Sequence, residues 1–141
     1  MKAKYLVIIG LLAATFVACS RDEKDLFDKP AAVRAREAVE NAFTVLTSQE
    51  AWEMAYFPNL EADAKGYNMI VKFDKNSKVS VTAKNSLTTQ NKIMTDANST
   101  WTVKSDYGPL LSFDTYNKVL HAFSDPDPDG AGHLGDYEFL I

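Results

Sequence analysis

A single cysteine, Cys19, is all the thiol chemistry that this chain of 141 residues carries. An internal disulfide and a cysteine-rich zinc cluster are therefore excluded. Histidine is nearly as scarce: His121 and His133 stand twelve positions apart, and neither belongs to a His-Glu-x-x-His helix motif. There is no Gly-x-Ser-x-Gly elbow and no glycine-rich phosphate loop, which removes the usual signatures of serine hydrolases and nucleotide binders. Basic charge is also in deficit, with 15 Lys and Arg against 19 Asp and Glu and a formal net charge of −4. That balance disfavours nucleic acid as a partner.

What is present begins at the amino terminus. Lys2 and Lys4 precede a nearly unbroken apolar run, Tyr5 to Val17, and the small residue Ala18 follows. This is the layout of a secretory leader cleaved after Ala18, and the run is shorter than the roughly 20 apolar residues of a spanning helix. Phe16-Val17-Ala18-Cys19 fits a lipobox, with Phe where Leu is usual. Cys19 is then the lipidated first residue of the mature chain, and the partner it implies is membrane lipid, each buried CH2 contributing roughly 0.8 kcal/mol. The competing reading is an incidental cysteine beside a generic signal peptide. Loss of residues 1–18 takes two lysines with it and makes the remaining chain more acidic.

Residues 19–27 read as the lipidated cysteine and a flexible tether, because Ser20-Arg21-Asp22-Glu23-Lys24-Asp25 has no apolar area to bury. The same acidic stretch is similar to patches that route lipoproteins to the outer face of the outer membrane. A plain solvated linker explains it as well.

Residues 28–141 then read as one small domain, mainly β (α+β). Asp28 is the expected N-cap and Pro30 a first-turn residue of an amphipathic helix, with Ala32, Ala35, Val39, Ala42, Phe43 and Leu46 on one face. From Ala51 the period changes to two. Strands are expected at 51–57, 66–73, 79–83, 99–104 and 110–113, with a last strand at 136–141. Asp74-Lys75-Asn76-Ser77 and Asp106-Tyr107-Gly108-Pro109 are turn sequences. The polar stretch 84–98 reads as a long loop with a helical turn near Gln90 to Met94. The sum is an antiparallel meander, lipocalin-like or a partial barrel, with the helix covering one face or closing one end. Because the chain stops inside an apolar strand, a natural domain that continues past Ile141 is expected.

Several pieces carry a family resemblance: the Trp52 strand Ala-Trp-Glu-Met-Ala-Tyr-Phe-Pro, Gly66-Tyr67-Asn68 to Lys72-Phe73, Ser112-Phe113-Asp114-Thr115-Tyr116-Asn117, His121 to Pro126, and Gly135-Asp136-Tyr137-Glu138-Phe139. Together they resemble Bacteroidales surface lipoproteins grouped as domain of unknown function 4302, over Leu26 to Ile141. The resemblance implies a surface or periplasmic lipoprotein, often beside outer-membrane nutrient-uptake components, without an established activity.

Four sets of residues are candidates for chemistry. Asp125, Asp127, Asp129 and Asp136, with Gly130 between, fall at the oxygen-donor spacing of a calcium loop; a Pro-, Asp- and Gly-rich surface loop accounts for the same letters. Asp114, Tyr116 and Asn117 form a possible binding rim, against which stands the habit of Asp and Asn of satisfying nearby backbone. His121 and His133 are weak zinc ligands at that spacing. Trp52 and Trp101 could stack a sugar or simply fill the core. The expected function is a non-catalytic, lipid-anchored binding or accessory module at the outer membrane beside an uptake system. Alternatives are a glycan-directed hydrolase using a carboxylate pair and a fragment without function of its own.

Overall fold

The computed structural model describes residues 27–58, 66–125 and 133–141. The expected leader, Ala18, Cys19 and most of the tether lie outside them, as do Asp127 and Asp129. The chain divides into units 1–30 and 31–141; of the first, only Phe27 to Pro30 are described, and they are exposed.

In the second unit, helix α1 spans Ala31–Leu46. It starts directly behind Pro30, later than the expected cap at Asp28; proline has no N–H to leave unpaired at a helix start, and its fixed φ suits that position. Ala35, Val39, Ala42, Phe43 and Leu46 are half-buried as the periodicity requires, whereas Ala32 is exposed. The last turn is contested by hydroxyls. Thr47 Oγ1 donates to the Phe43 carbonyl at 2.9 Å and Ser48 Oγ to that of Val45 at 2.7 Å. Such back-bonding competes with the helix ladder. The indole of Trp52 then donates to the Leu46 carbonyl at 2.8 Å, covering one of the open acceptors at the helix end.

Six strands follow: β1 (Trp52–Tyr56), β2 (Tyr67–Phe73), β3 (Lys78–Ala83), β4 (Met94–Ser105), β5 (Pro109–Phe113) and β6 (Glu138–Leu140). They lie in sequence order in one antiparallel sheet. The register aligns one apolar face: Met54 sits opposite Met69, Val71 opposite Val81, Trp101 opposite Phe113, and Leu111 opposite Phe139. The sheet curls into a half-barrel around these residues. Tyr56 of β1 meets Phe139 of β6 across the interior, ring centroids 6.0 Å apart, and also Phe123 at 5.2 Å.

Two layers fill the concave side. Phe43 of α1 stacks on Trp101, and Val119, Leu120 and Phe123, around the short 3₁₀ turn His121–Phe123, are fully buried against the sheet. Trp101, at 0 % exposure with its indole N–H given to the Asp74 carbonyl, is a core residue and offers no sugar platform.

Stretch 84–98 departs from expectation. Its last third is strand: β4 begins at Met94, and no helical turn forms at Gln90 to Met94. Gln90 and Asn91 instead take left-handed φ of 50° and 60°, while the Asn85 carboxamide accepts from the Leu87 and Thr88 amides. The strand was hidden by a bulge. Val79 pairs with Ser99 but Val81 with Asp96, so β4 carries one extra residue there and the polar–apolar alternation slips.

Candidate functional site

β4, β5 and β6 bring Lys104, Ser112 and Glu138 together on the outer face of the sheet. Thr102 pairs with Ser112 and Ser112 with Glu138, so the three side chains share one side of the pleat. Lys104 Nζ donates to Ser112 Oγ at 2.9 Å and to Glu138 Oε1 at 3.0 Å, and lies 3.3 Å from Asp114 Oδ1. Ser112 Oγ stands 2.8 Å from Asp114 Oδ1 and 2.9 Å from Glu138 Oε1. A hydroxyl has one proton, so it serves one carboxylate at a time. The ammonium completes the neutralisation.

The electrostatics follow from this contact set. The bond that Lys104 donates to Glu138 raises the lysine pKa, with Asp114 adding to it, so the amine stays protonated. Glu138 is held below its ordinary value by Lys104 first and Ser112 second. Burial pushes Asp114 upward, but bonds from Ser112 and Lys104 outweigh it and the net direction is down. Both carboxyls are therefore ionised at neutral pH.

This cluster forms one wall of a cavity of about 370 Å3 that Tyr116, His121, Ser124, Asp125 and Tyr137 also line. Tyr116 and Tyr137 are 53 % and 45 % exposed. His121, buried, has ring contacts with both, at 5.4 Å and 5.0 Å. Its Nδ1 accepts the Asn117 amide at 2.9 Å, and burial drives its pKa down, so the ring is neutral. The Tyr116 hydroxyl donates to Asp125, a bond that raises the phenol pKa to about 12.

The expected rim is thus divided. Asp114 and Tyr116 face the cavity, but Asn117 is fully buried and builds the framework behind it. Its Nδ2 donates to Ser99 Oγ at 2.7 Å and to the Asp96 carbonyl at 3.2 Å, and its Oδ1 accepts from the Val119 and Leu120 amides. This is the local backbone satisfaction that Asn commonly provides.

Of the calcium set, Asp125 lines the cavity and Asp136 is exposed, its carbonyl taking a bond from the Tyr56 hydroxyl. Asp127 and Asp129 lie outside the described residues. No group of three His, Cys, Asp or Glu side chains placed to hold a metal ion occurs among the described residues, so His121 and His133 form no zinc site there. Lys104, Ser112 and Glu138 were not singled out by sequence. Each sits at an outward, polar position of its strand, yet Lys104 and Glu138 are 34 residues apart and only the strand register joins them.

Comparison with curated proteins and with solved structures finds no match. The model for the family described as domain of unknown function (DUF4302) matches residues 23–141, most of the chain, and the protein belongs to that family.

Proposed function

We propose that the protein is an exported, lipid-anchored lipoprotein whose β-domain binds a small ligand without transforming it, as an accessory module beside an outer-membrane uptake system. The anchor rests on the sequence alone: the leader, Ala18 and Cys19. The binding reading rests on one observation, the clamp of Lys104 between Asp114, Glu138 and Ser112.

That clamp also weighs the hydrolase alternative. Two carboxylates that approach a common hydroxyl have the look of a glycosidase pair. A glycosidase, however, needs one carboxyl with a raised pKa to protonate the leaving group. Here both are pulled down. Ser112 and Lys104 likewise have the geometry of a serine–lysine dyad, but a lysine kept protonated takes no proton from serine. The site supplies fixed charges and half-exposed rings, which recognise ligands.

The test has two parts. Mass spectrometry of the membrane-extracted protein is expected to find an acylated Cys19 at the mature terminus, and an unmodified cysteine there would remove the anchor. Nitrophenyl glycosides and esters incubated with the protein from pH 4 to 8 are expected to hydrolyse at the buffer rate. Turnover lost in Glu138→Gln would establish the hydrolase instead.

A further inference from the structure

We propose that the cavity beside β5 takes a small organic cation, its ammonium group held by Asp125 and Glu138 against the rings of Tyr116 and Tyr137. This rests on the binding reading above and specifies its ligand.

The inference comes from counting what the lining residues have left to offer. The donors are nearly spent. Lys104 gives its protons to Ser112, Glu138 and Asp114. The Ser112 hydroxyl is taken by the carboxylates, the Ser124 hydroxyl by the Gly135 carbonyl, and the Tyr116 hydroxyl by Asp125. His121 uses Nδ1 as an acceptor for the Asn117 amide. Apart from the Tyr137 hydroxyl and the second ring nitrogen of His121, the lining side-chain donors are committed among the described residues. Acceptors do remain: Asp125 Oδ1 and Glu138 Oε2 have no donor among those residues.

Charge points the same way. Asp114, Asp125 and Glu138 face a single lysine, and His121 adds nothing because its ring is neutral. Anionic ligands are repelled. A neutral sugar needs donors as well as acceptors from its site, and few are on offer here. Carboxylates alone would make no site, since an acidic cluster on a surface is ordinarily only solvated. The second feature is aromatic: two half-exposed tyrosine rings border the same cavity, and both pack on the His121 ring, which fixes them in place. An ammonium group is attracted to a ring face and to the negative charge of a carboxylate whether or not it carries an N–H, so it meets the rings and the uncompensated charge that these residues leave open. About 370 Å3 accommodates a molecule of the size of choline or a short diamine.

The full-length protein in non-ionic detergent is titrated calorimetrically with choline chloride and, separately, with its uncharged isostere 3,3-dimethylbutan-1-ol, with cellobiose, and with calcium chloride. Choline is expected to bind about tenfold or more tightly than the isostere. Tyr137→Leu and Asp125→Asn are each expected to weaken choline by about fivefold, the order of one partly exposed cation–π or ion contact. Neither side chain is in the core, and an unchanged melting curve would verify that each variant is folded. Equal affinity for choline and the isostere overturns the cation assignment without needing any variant. Binding of cellobiose or calcium but not choline also overturns it while leaving a binding module; heat with none of the four overturns the cation assignment and removes the support for the binding reading as well.

Discussion

The ring of Phe43 lies on the indole of Trp101, centroids 5.1 Å apart and 10° from parallel. It ties α1 to β4, and no residue of the helix is fully buried. Phe43→Ala removes the stack and part of the apolar cover over Trp101. The expected loss is about 2 kcal/mol, between the value of an aromatic pair and that of a wholly buried phenylalanine. Thermal unfolding followed at 222 nm measures it. An unchanged melting temperature would show that the helix is held by other contacts.

Gly135 is packed where a side chain does not fit. A Cβ there would come 2.3 Å from the Tyr56 hydroxyl and 2.7 Å from Phe123 Cβ. Tyr56 is held in turn by the Asp136 carbonyl at 2.9 Å, and burial first, then the Asp136 charge, raises its pKa to about 12. Gly135→Ala therefore has to displace the strut that joins β1 to the segment before β6. A cost of about 2–3 kcal/mol is expected. Gly108→Ala is the control, since nothing lies within 4 Å of the position a Cβ would take, and its effect is expected to stay within about 0.5 kcal/mol. Denaturant unfolding of the two variants checks the contrast.

Alternation in Tyr67–Phe73 and Lys78–Ala83 is clean because each strand has one buried and one wet face, and the hairpin between them was legible from its turn residues. At Met94–Asn98 the bulge breaks the alternation, so a strand looked like loop. The last strand is shorter than 136–141, but the Phe113 amide still bonds the Tyr137 carbonyl and the Ile141 amide that of Pro109, so pairing extends past its ends. Asp114 and Tyr116 were recognisable as polar residues leaving a strand. Asn117 has the same character in sequence, and only its place behind Val119 and Leu120 turns it inward. The cluster of Lys104, Ser112 and Glu138 depends on the register of three strands, which no local pattern encodes.

Asn117 supplies the next expectation. Its side chain satisfies two backbone amides, one carbonyl and one hydroxyl, and the residue has 0 % exposure. Asn117→Ala leaves those groups short of partners, at about 1–3 kcal/mol for a buried group so orphaned. A total near 3 kcal/mol is expected. Tyr116→Phe, at the preceding residue, loses a single exposed bond to Asp125 and is expected to cost less than about 1 kcal/mol. Urea midpoints of the pair separate a framework residue from a cavity residue, and equal losses would contradict that division.

On the acid side, the pH dependence of stability is set by groups whose pKa the fold depresses. Burial lowers that of His121 from 6.5, so the unfolded chain takes up the proton more readily than the folded one. Its contribution is present above pH 6.5 and is lost as pH falls through the lower folded value. Asp96, Asp114 and Glu138 are also depressed; for Asp96, burial works upward but the amide bonds from Lys118 and Asn98 prevail. Their contribution is present above their ordinary values, 3.8 for the aspartates and 4.5 for Glu138, and is lost as pH falls through the folded ones. Stability is therefore expected to decline in two stages on acidification, the first beginning below pH 6.5 and the second below pH 4.5. His121→Gln should abolish most of the first stage and leave the second in place, because a glutamine has no proton to gain. Urea unfolding of both proteins at half-unit steps from pH 7 to 3 resolves the stages, and a first stage that survives in the variant would place it on another group.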